Sequence, residues 1–463
     1  MILRSLVMKF QSSFVARRLV AAALWSGFGE SSARVLFLIS MVLIARMLGT
    51  EGYGEFGLVR ATLNTFAVLG GLGLGLTANR YVAEHRDANK VFSGEIIASS
   101  YLLAAFSGLI AAVIVFSGAA YVAEQFLSAP ELRGALQVTS VLVFLSSVNG
   151  AQIGILQGLE AYRRLAFVGL CQGLVGLLCF VAGSYYFGVS GAIGGLMAYV
   201  GTGVALSAWL IASEAARQGI RIAFRGFSDV LPVFLKFSIP AALAGIAVAP
   251  FKWIAETLLA RDFGFEELGV FHASMTITNV AIVACSMLNA PLISLTANAR
   301  ARSSTSTISY VNLYGTWYFF LLVATPILLF PSLAAVPFGA AYRTPEFFEV
   351  TVLLLLYTGL LLYHQGIVRL VALSGSMWFA FATNLAEGFS LMAAYFFARE
   401  YGATGLAVAY VASYVIRIWI SVPVLVRWKV ISKELVLDKY FLATMLLVLA
   451  VVVFHMARMS WQQ

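Results

Sequence analysis

Charge is scarce in this chain. Asp, Glu, Lys and Arg make up 11% of its 463 residues, against about 25% in a soluble globular protein. So little charge cannot hydrate the surface of an ordinary cytosolic fold. Cysteine is scarcer still. Cys171, Cys179 and Cys285 all lie in apolar runs, with no CxxC or Cys/His spacing, so neither a metal site nor a disulfide framework is expected. Also missing are a Walker loop, a nucleophile elbow and a paired-carboxylate motif. No aqueous loop is long enough for a catalytic domain. The sequence therefore argues against an enzyme and implies no cofactor. No cleavable leader is expected at the N-terminus.

What remains is hydrophobic: 61% of the residues, with a mean hydropathy of +0.91. Apolar runs of about 18 or more residues read as transmembrane helices, and they are far too long for barrel strands of about 9–11 residues. The chain is predicted to be an all-α polytopic membrane protein. Helices are expected over 19–45, 54–83, 91–118, 134–158, 163–187 and 190–213. A second set follows over 231–259, 266–297, 308–332, 346–372, 376–399 and 403–427. A further run, 440–457, is barely long enough to cross, so the alternative is twelve spans with an interfacial tail.

This divides the chain into five parts. Residues 1–18 carry apolar positions at helical spacing among Arg4, Lys9, Arg17 and Arg18, the pattern of an amphipathic interfacial helix. Residues 19–213 form a first six-helix lobe, 214–230 a polar inter-lobe loop, and 231–427 a second lobe. Residues 428–463 supply a linker and the last hydrophobic helix. The net charge of +9 sits in short loops, as membrane topology requires, and does not point to nucleic acid. Arg and Lys concentrate in alternate loops, which predicts a cytoplasmic N-terminus and a cytoplasmic inter-lobe loop.

The two halves repeat. At an offset of 215, Ala45/Ala260, Arg46/Arg261, Gly49/Gly264, Glu51/Glu266, Gly54/Gly269, Phe56/Phe271 and Asn64/Asn279 are identical. At an offset of 214, Gly188 and Gly191 match Gly402 and Gly405. Six helices per half start both halves on the same membrane side. The repeat is therefore parallel, about a pseudo-two-fold axis along the membrane normal. Such repeats are a transporter signature, with a central site between the halves and alternating access by rocking.

The segment Ala45-Arg-Met-Leu-Gly49 with Tyr53-Gly54 resembles the polysaccharide-exporter (O-antigen and exopolysaccharide flippase) branch of the multidrug/oligosaccharidyl-lipid/polysaccharide flippase superfamily. So do Gly73-Leu-Gly-Leu76 with Arg80-Tyr-Val-Ala-Glu84, and the turn Phe187–Gly191. The resemblance implies a two-lobe fold of twelve to fourteen helices. It also implies translocation of an undecaprenyl-diphosphate-linked oligosaccharide across the bacterial inner membrane for surface polysaccharide biosynthesis. The implied partners are that lipid-linked substrate, membrane lipids, and the polymerase and glycosyltransferases of the same pathway, with the protein itself a monomer. In that fold the first, second, seventh and eighth helices line the central cavity.

Ionisable groups inside a bilayer are costly, and each is a functional candidate by default. The first helix carries Glu30 and Arg34, and its repeat mate carries Lys252 and Glu256. Both pairs are spaced i,i+4, which sets each on one helix face. They read either as ligand-binding cations with ion-coupling carboxylates, or as self-neutralised pairs that ease insertion. Arg60 lies about two turns into the second helix, and His272 about as deep in the eighth. A lipid diphosphate needs cations: arginine for bidentate contacts, lysine as a point charge. Arg34, Arg60 and Lys252 are the candidates for that role. His272, Asn64 and Asn279 are candidates for sugar hydroxyls, against a plain helix-packing role. Glu30 and Glu256 are candidates for ion coupling. Glu387 and Arg417 are expected to pair within the second lobe. The glycine cluster 70–75 lies inside an apolar run and is expected to bend or closely pack the second helix rather than cradle a phosphate. Two other functions remain open: a multidrug or cation antiporter, which needs an acidic cavity, and a membrane glycosyltransferase or ligase, which needs a large aqueous loop.

Overall fold

The computed structural model describes residues 14–224, 245–286, 306–374, 377–429 and 438–460, with isolated positions between them. Within these stretches, the side chains of 14–31, 306–309, 372–374, 377 and 458–460 are not described. The side chains of the expected amphipathic segment, and that of Glu30, therefore lie outside the described residues. Among the described residues every regular element is helical. The first half comprises α1 (Phe14–Gly71), α2 (Leu74–His85), α3 (Lys90–Ala120), α4 (Leu132–Gly158) and α5 (Tyr162–Arg217). The second comprises α6 (Ala249–Phe263), α7 (Phe265–Ser286), α8 (Ser306–Leu329), α9 (Pro345–Ser374), α10 (Met377–Ala398) and α11 (Gly402–Arg427), followed by α12 (Lys439–Ser460).

Nine described stretches are long and apolar enough to cross a bilayer. Three of them, Ser32–Gly71, Tyr162–Arg217 and Trp378–Arg427, each hold two spans joined at a glycine. These glycines settle the repeat. Gly49 has φ 72° and ψ −171°, and Gly264 has φ 89° and ψ 175°. Gly188 has φ 57° and ψ −133°, and Gly402 has φ 53° and ψ −131°. Sequence-matched positions thus share a backbone conformation open essentially to glycine alone. At Gly49, Gly188 and Gly264 one residue at positive φ joins two helices directly, and at Gly402 it follows a short 3-10 turn, Arg399–Tyr401. Gly188→Ala is expected to lower stability by about 1–3 kcal/mol through backbone strain alone, since nothing lies within 4 Å of the added Cβ. Gly402→Ala should lose more, because its Cβ would stand 2.6 Å from Glu267 Oε2. Thermal unfolding of the two purified variants measures both losses; equal melting points would remove the steric part of this account.

The lobes meet near the Gly49 end along α1 and α7, and the contact obeys the repeat. A Cβ on Gly54 would fall 1.8 Å from Phe265 O, and one on Gly269 would fall 1.8 Å from Thr50 O. Each glycine therefore admits the backbone of the other lobe, at positions related by the same offset of 215. Small residues let helix backbones approach where lipid offers no hydrophobic drive between them. Tyr53 OH and Thr276 Oγ1 (2.9 Å) tie the same crossing. Tyr342, in a short turn outside the spans, donates to Gly49 O at 2.9 Å. Burial and the neighbouring Tyr53 push its phenol well above the ordinary tyrosine range, which keeps it a neutral donor.

The glycine cluster both bends and packs its helix. α1 ends at Gly71, Leu72 and Gly73 take positive φ, and α2 restarts at Leu74. Gly75 and Gly154 press backbone on backbone, with a Cβ on Gly154 reaching 2.0 Å from Gly75 O. At the C-terminus α12 is a full element, about 33 Å long at 1.5 Å per residue and a candidate span. Asp438 Oδ1 caps its first turn by accepting from Tyr440 N and Phe441 N. Thr444 Oγ1 accepts from Trp317 Nε1 (3.1 Å), and Phe441 stacks on Tyr363 at 4.4 Å. The last helix is therefore docked on α8 and α9 rather than left as an interfacial tail.

Candidate functional site

A cavity of about 590 Å³ opens in the first lobe. α1 supplies Phe37, Arg60, Asn64 and Val68; α4 supplies Ser146, and α5 supplies Leu196, Tyr199 and Val200. Arg60 and Asn64 are four residues apart and so share a helix face. The Arg60 guanidinium lies over the Phe37 ring, 5.4 Å from its centroid. A flat aromatic face can hold a cation in place without neutralising it. Among the described residues Arg60 makes no ion pair and no hydrogen bond, and no carboxylate lines this cavity. Arg34 is exposed on α1, and its charge is felt at Tyr199.

The second lobe handles its charges differently. Lys252 and Glu256, one turn apart on α6, do not pair with each other. Lys252 Nζ reaches Glu387 Oε1 of α10 at 3.1 Å and donates to Tyr357 OH of α9 at 3.0 Å. Arg417 of α11 donates to the other oxygen of Glu387, as the sequence led one to expect. Glu387 is 1% exposed and serves two cations. Glu256 accepts from Tyr410 OH at 2.8 Å, and His272 Nε2 stands 3.7 Å from its second oxygen. His272 packs onto Gly57, where a Cβ would meet its ring at 2.2 Å, so it sits in the seam between the lobes. Arg60 is near enough to be felt at both Glu256 and His272.

The structure thus brings Arg60 and Asn64 into one cavity, with Arg34 beside its wall. Lys252 is drawn off into an ion-paired cluster. Glu256 and His272 stand together at the lobe seam. Asn279 is half-buried on α7 and lines none of the three cavities described among these residues. Sequence reasoning missed Phe37 and Tyr199, whose apolar surroundings look like ordinary core. It also missed that Glu387 bridges Lys252 as well as Arg417, a contact between helices more than 130 residues apart. The only signal was arithmetic: a mostly apolar segment around Glu387 has no cheap way to hold a lone carboxylate.

Residues 19–280 match the family described as polysaccharide biosynthesis protein. The chain belongs to that family. It is also 21% identical over 269 residues to the lipid III flippase of Escherichia coli (strain K12), covering 56% of this chain. The matched stretch spans 62% of the flippase's own length. Among solved structures, the fold is like that of an inward-facing multidrug resistance MATE family transporter of the MOP superfamily, with a TM-score of 0.70 at 16% identity. That match covers 86% of this chain and 94% of the other. A MOP superfamily transporter from Pyrococcus furiosus, described by the reverse polarity of its binding pocket, matches with a TM-score of 0.61 at 18% identity. It covers 91% of this chain and 96% of that one. This member of the polysaccharide biosynthesis family is therefore a multi-pass helical membrane protein whose fold is like that of MOP superfamily transporters. The two-lobe architecture expected from its sequence repeat is the one it has.

Proposed function

We propose that the protein flips an undecaprenyl-diphosphate-linked oligosaccharide across the bacterial inner membrane, for surface polysaccharide biosynthesis. The observation that carries this is Arg60: a cation that makes no ion pair among the described residues, in the wall of a cavity of about 590 Å³ that no described carboxylate lines. An anionic headgroup in that cavity would pair with it. A diphosphate suits the guanidinium fork, which offers two parallel donors to phosphate oxygens. Arg34 would assist at the rim, and Asn64 would meet the first sugar. Lys252 acts through its link to Glu387 rather than as a free ligand. Asn279 and His272 keep secondary roles, and Glu256 is the described carboxylate placed to couple an ion to the lobe seam. The excess of Arg and Lys in alternate loops favours a cytoplasmic N-terminus, which makes the Gly49 end the outer one and the crossing at Gly54 and Gly269 its seal. The lobes would comprise 19–213 and 231–427, working as a monomer beside the pathway's glycosyltransferases and polymerase.

A cation antiporter would need carboxylates around its cavity, and none lines the Arg60 cavity among the described residues. Proteoliposomes containing the purified protein should move a polyprenyl-diphosphate oligosaccharide between leaflets, as read by enzymatic labelling of the outer sugar. They should not carry ethidium. Ethidium efflux without glycan movement would sink the proposal in favour of the antiporter.

A further inference from the structure

A second cavity, of about 250 Å³, lies inside the second lobe, between α9, α10 and α11. It shares no lining residue with the Arg60 cavity. Arg417, His364 and Ser421 give it a polar side, and Ile367, Val371 and Phe379 give it apolar surface. Arg417 is only part satisfied. It shares Glu387 with Lys252, and its Nε is buried with no hydrogen-bond partner. His364 Nε2 lies 3.1 Å from Ser421 Oγ and its Nδ1 3.4 Å from Tyr414 OH, so the ring is fixed in place at the cavity wall. Val368, another wall residue, is 41% exposed, so the cavity wall at α9 reaches the outer surface of the helix bundle.

The described residues of the first lobe carry no charge at the matching positions. At the offset of 214, Glu387 and Arg417 correspond to Gly173 and Gly203. Both glycines are packed tight: a Cβ on Gly173 would lie 2.9 Å from Leu36, and one on Gly203 would lie 2.6 Å from Asn149 Nδ2. The repeat fold can therefore do without the charges and the cavity at this place. A buried arginine, lysine and glutamate are expensive in a bilayer and need a use.

We infer that this second-lobe cavity binds the head and first methylenes of a phosphate-headed lipid, with Arg417 donating to the phosphate. A charge-assisted bond to an anion would satisfy the buried Nε, the apolar walls would cover the adjoining carbons, and the chain would leave past Val368. The inference does not depend on the role of Arg60. Two sources share this chemistry: an anionic phospholipid of the bilayer, and a polyprenyl phosphate.

Native mass spectrometry of the full chain, released from phosphatidylcholine nanodiscs doped with either dioleoyl phosphatidic acid or undecaprenyl phosphate, tests it. Wild type should retain one phosphate lipid. Arg417→Gln should lower that retention at least tenfold, and so should Ala380→Phe, which fills the cavity while leaving every charge in place. Arg60→Ala should keep the retention that Ala380→Phe removes, which separates this site from the first-lobe cavity. Retention of phosphatidic acid alone identifies the occupant as a bilayer lipid, and retention of undecaprenyl phosphate alone identifies it as a carrier; either supports the site. Equal retention by wild type and Ala380→Phe, or loss only in Arg60→Ala, overturns it.

Discussion

Arg60→Ala is expected to cut the rate of lipid-linked glycan movement in proteoliposomes about a hundredfold, with the protein still folded and inserted. A hydrogen bond to a charged group is worth about 1.5–3 kcal/mol, and a bidentate phosphate contact makes two. Losing about 3 kcal/mol of binding corresponds to roughly a hundredfold. Folding should survive because Arg60 leaves no ion-paired carboxylate behind among the described residues. Arg60→Lys should recover part of the rate, since lysine keeps the charge but not the fork. Arg34→Ala should have a smaller effect in the same direction, as that side chain is exposed beside the cavity rather than in its wall. Gel filtration and thermal unfolding of each variant separate lost function from lost fold. Wild-type rates in both alanine variants would remove the cationic site.

Glu387→Gln is expected to be the most destabilising single change in the second lobe, at about 3–5 kcal/mol. It is an isosteric change that leaves Lys252 and Arg417 with no anion between them. The Lys252 ammonium keeps the Tyr357 hydroxyl and the ring faces of Tyr357 and Tyr410, and Arg417 keeps the face of Tyr414, 5.4 Å from its guanidinium carbon, but neither keeps an anion. The loss should be largely undone by also neutralising the lysine. Glu387→Gln with Lys252→Met should therefore be more stable than Glu387→Gln alone, and a double-mutant cycle measures the coupling. Additive losses in that cycle would mean that water, not Glu387, neutralises the lysine. The two variants bear on different properties: Arg60 on the ligand, Glu387 on the lobe that faces it.

These two residues show how far a linear reading reaches. Arg60 was legible because an arginine in an apolar run has few roles open to it. That it makes no ion pair among the described residues was not legible, because i,i+4 spacing speaks only for residues on the same helix. By that rule Lys252 and Glu256 looked like a pair, yet each turns to a different helix, the lysine to Glu387 and the glutamate to Tyr410. Likewise the sequence repeat matched Gly54 to Gly269 without revealing that the two touch.

The amino-acid order by itself determined where the described apolar helices run and which positions of the two halves match. Hydrophobic length fixes what can cross a bilayer, and a glycine at positive φ fixes where the chain reverses, whatever surrounds it. Only the tertiary structure decided which charges are neutralised. Ion pairing between α6 and α10 depends on which faces meet once the helices pack, and a contact between positions more than a hundred residues apart leaves no local trace. That packing left Arg60 without an ion pair among the described residues and bound Lys252 into a cluster, and so placed the candidate site in the first lobe.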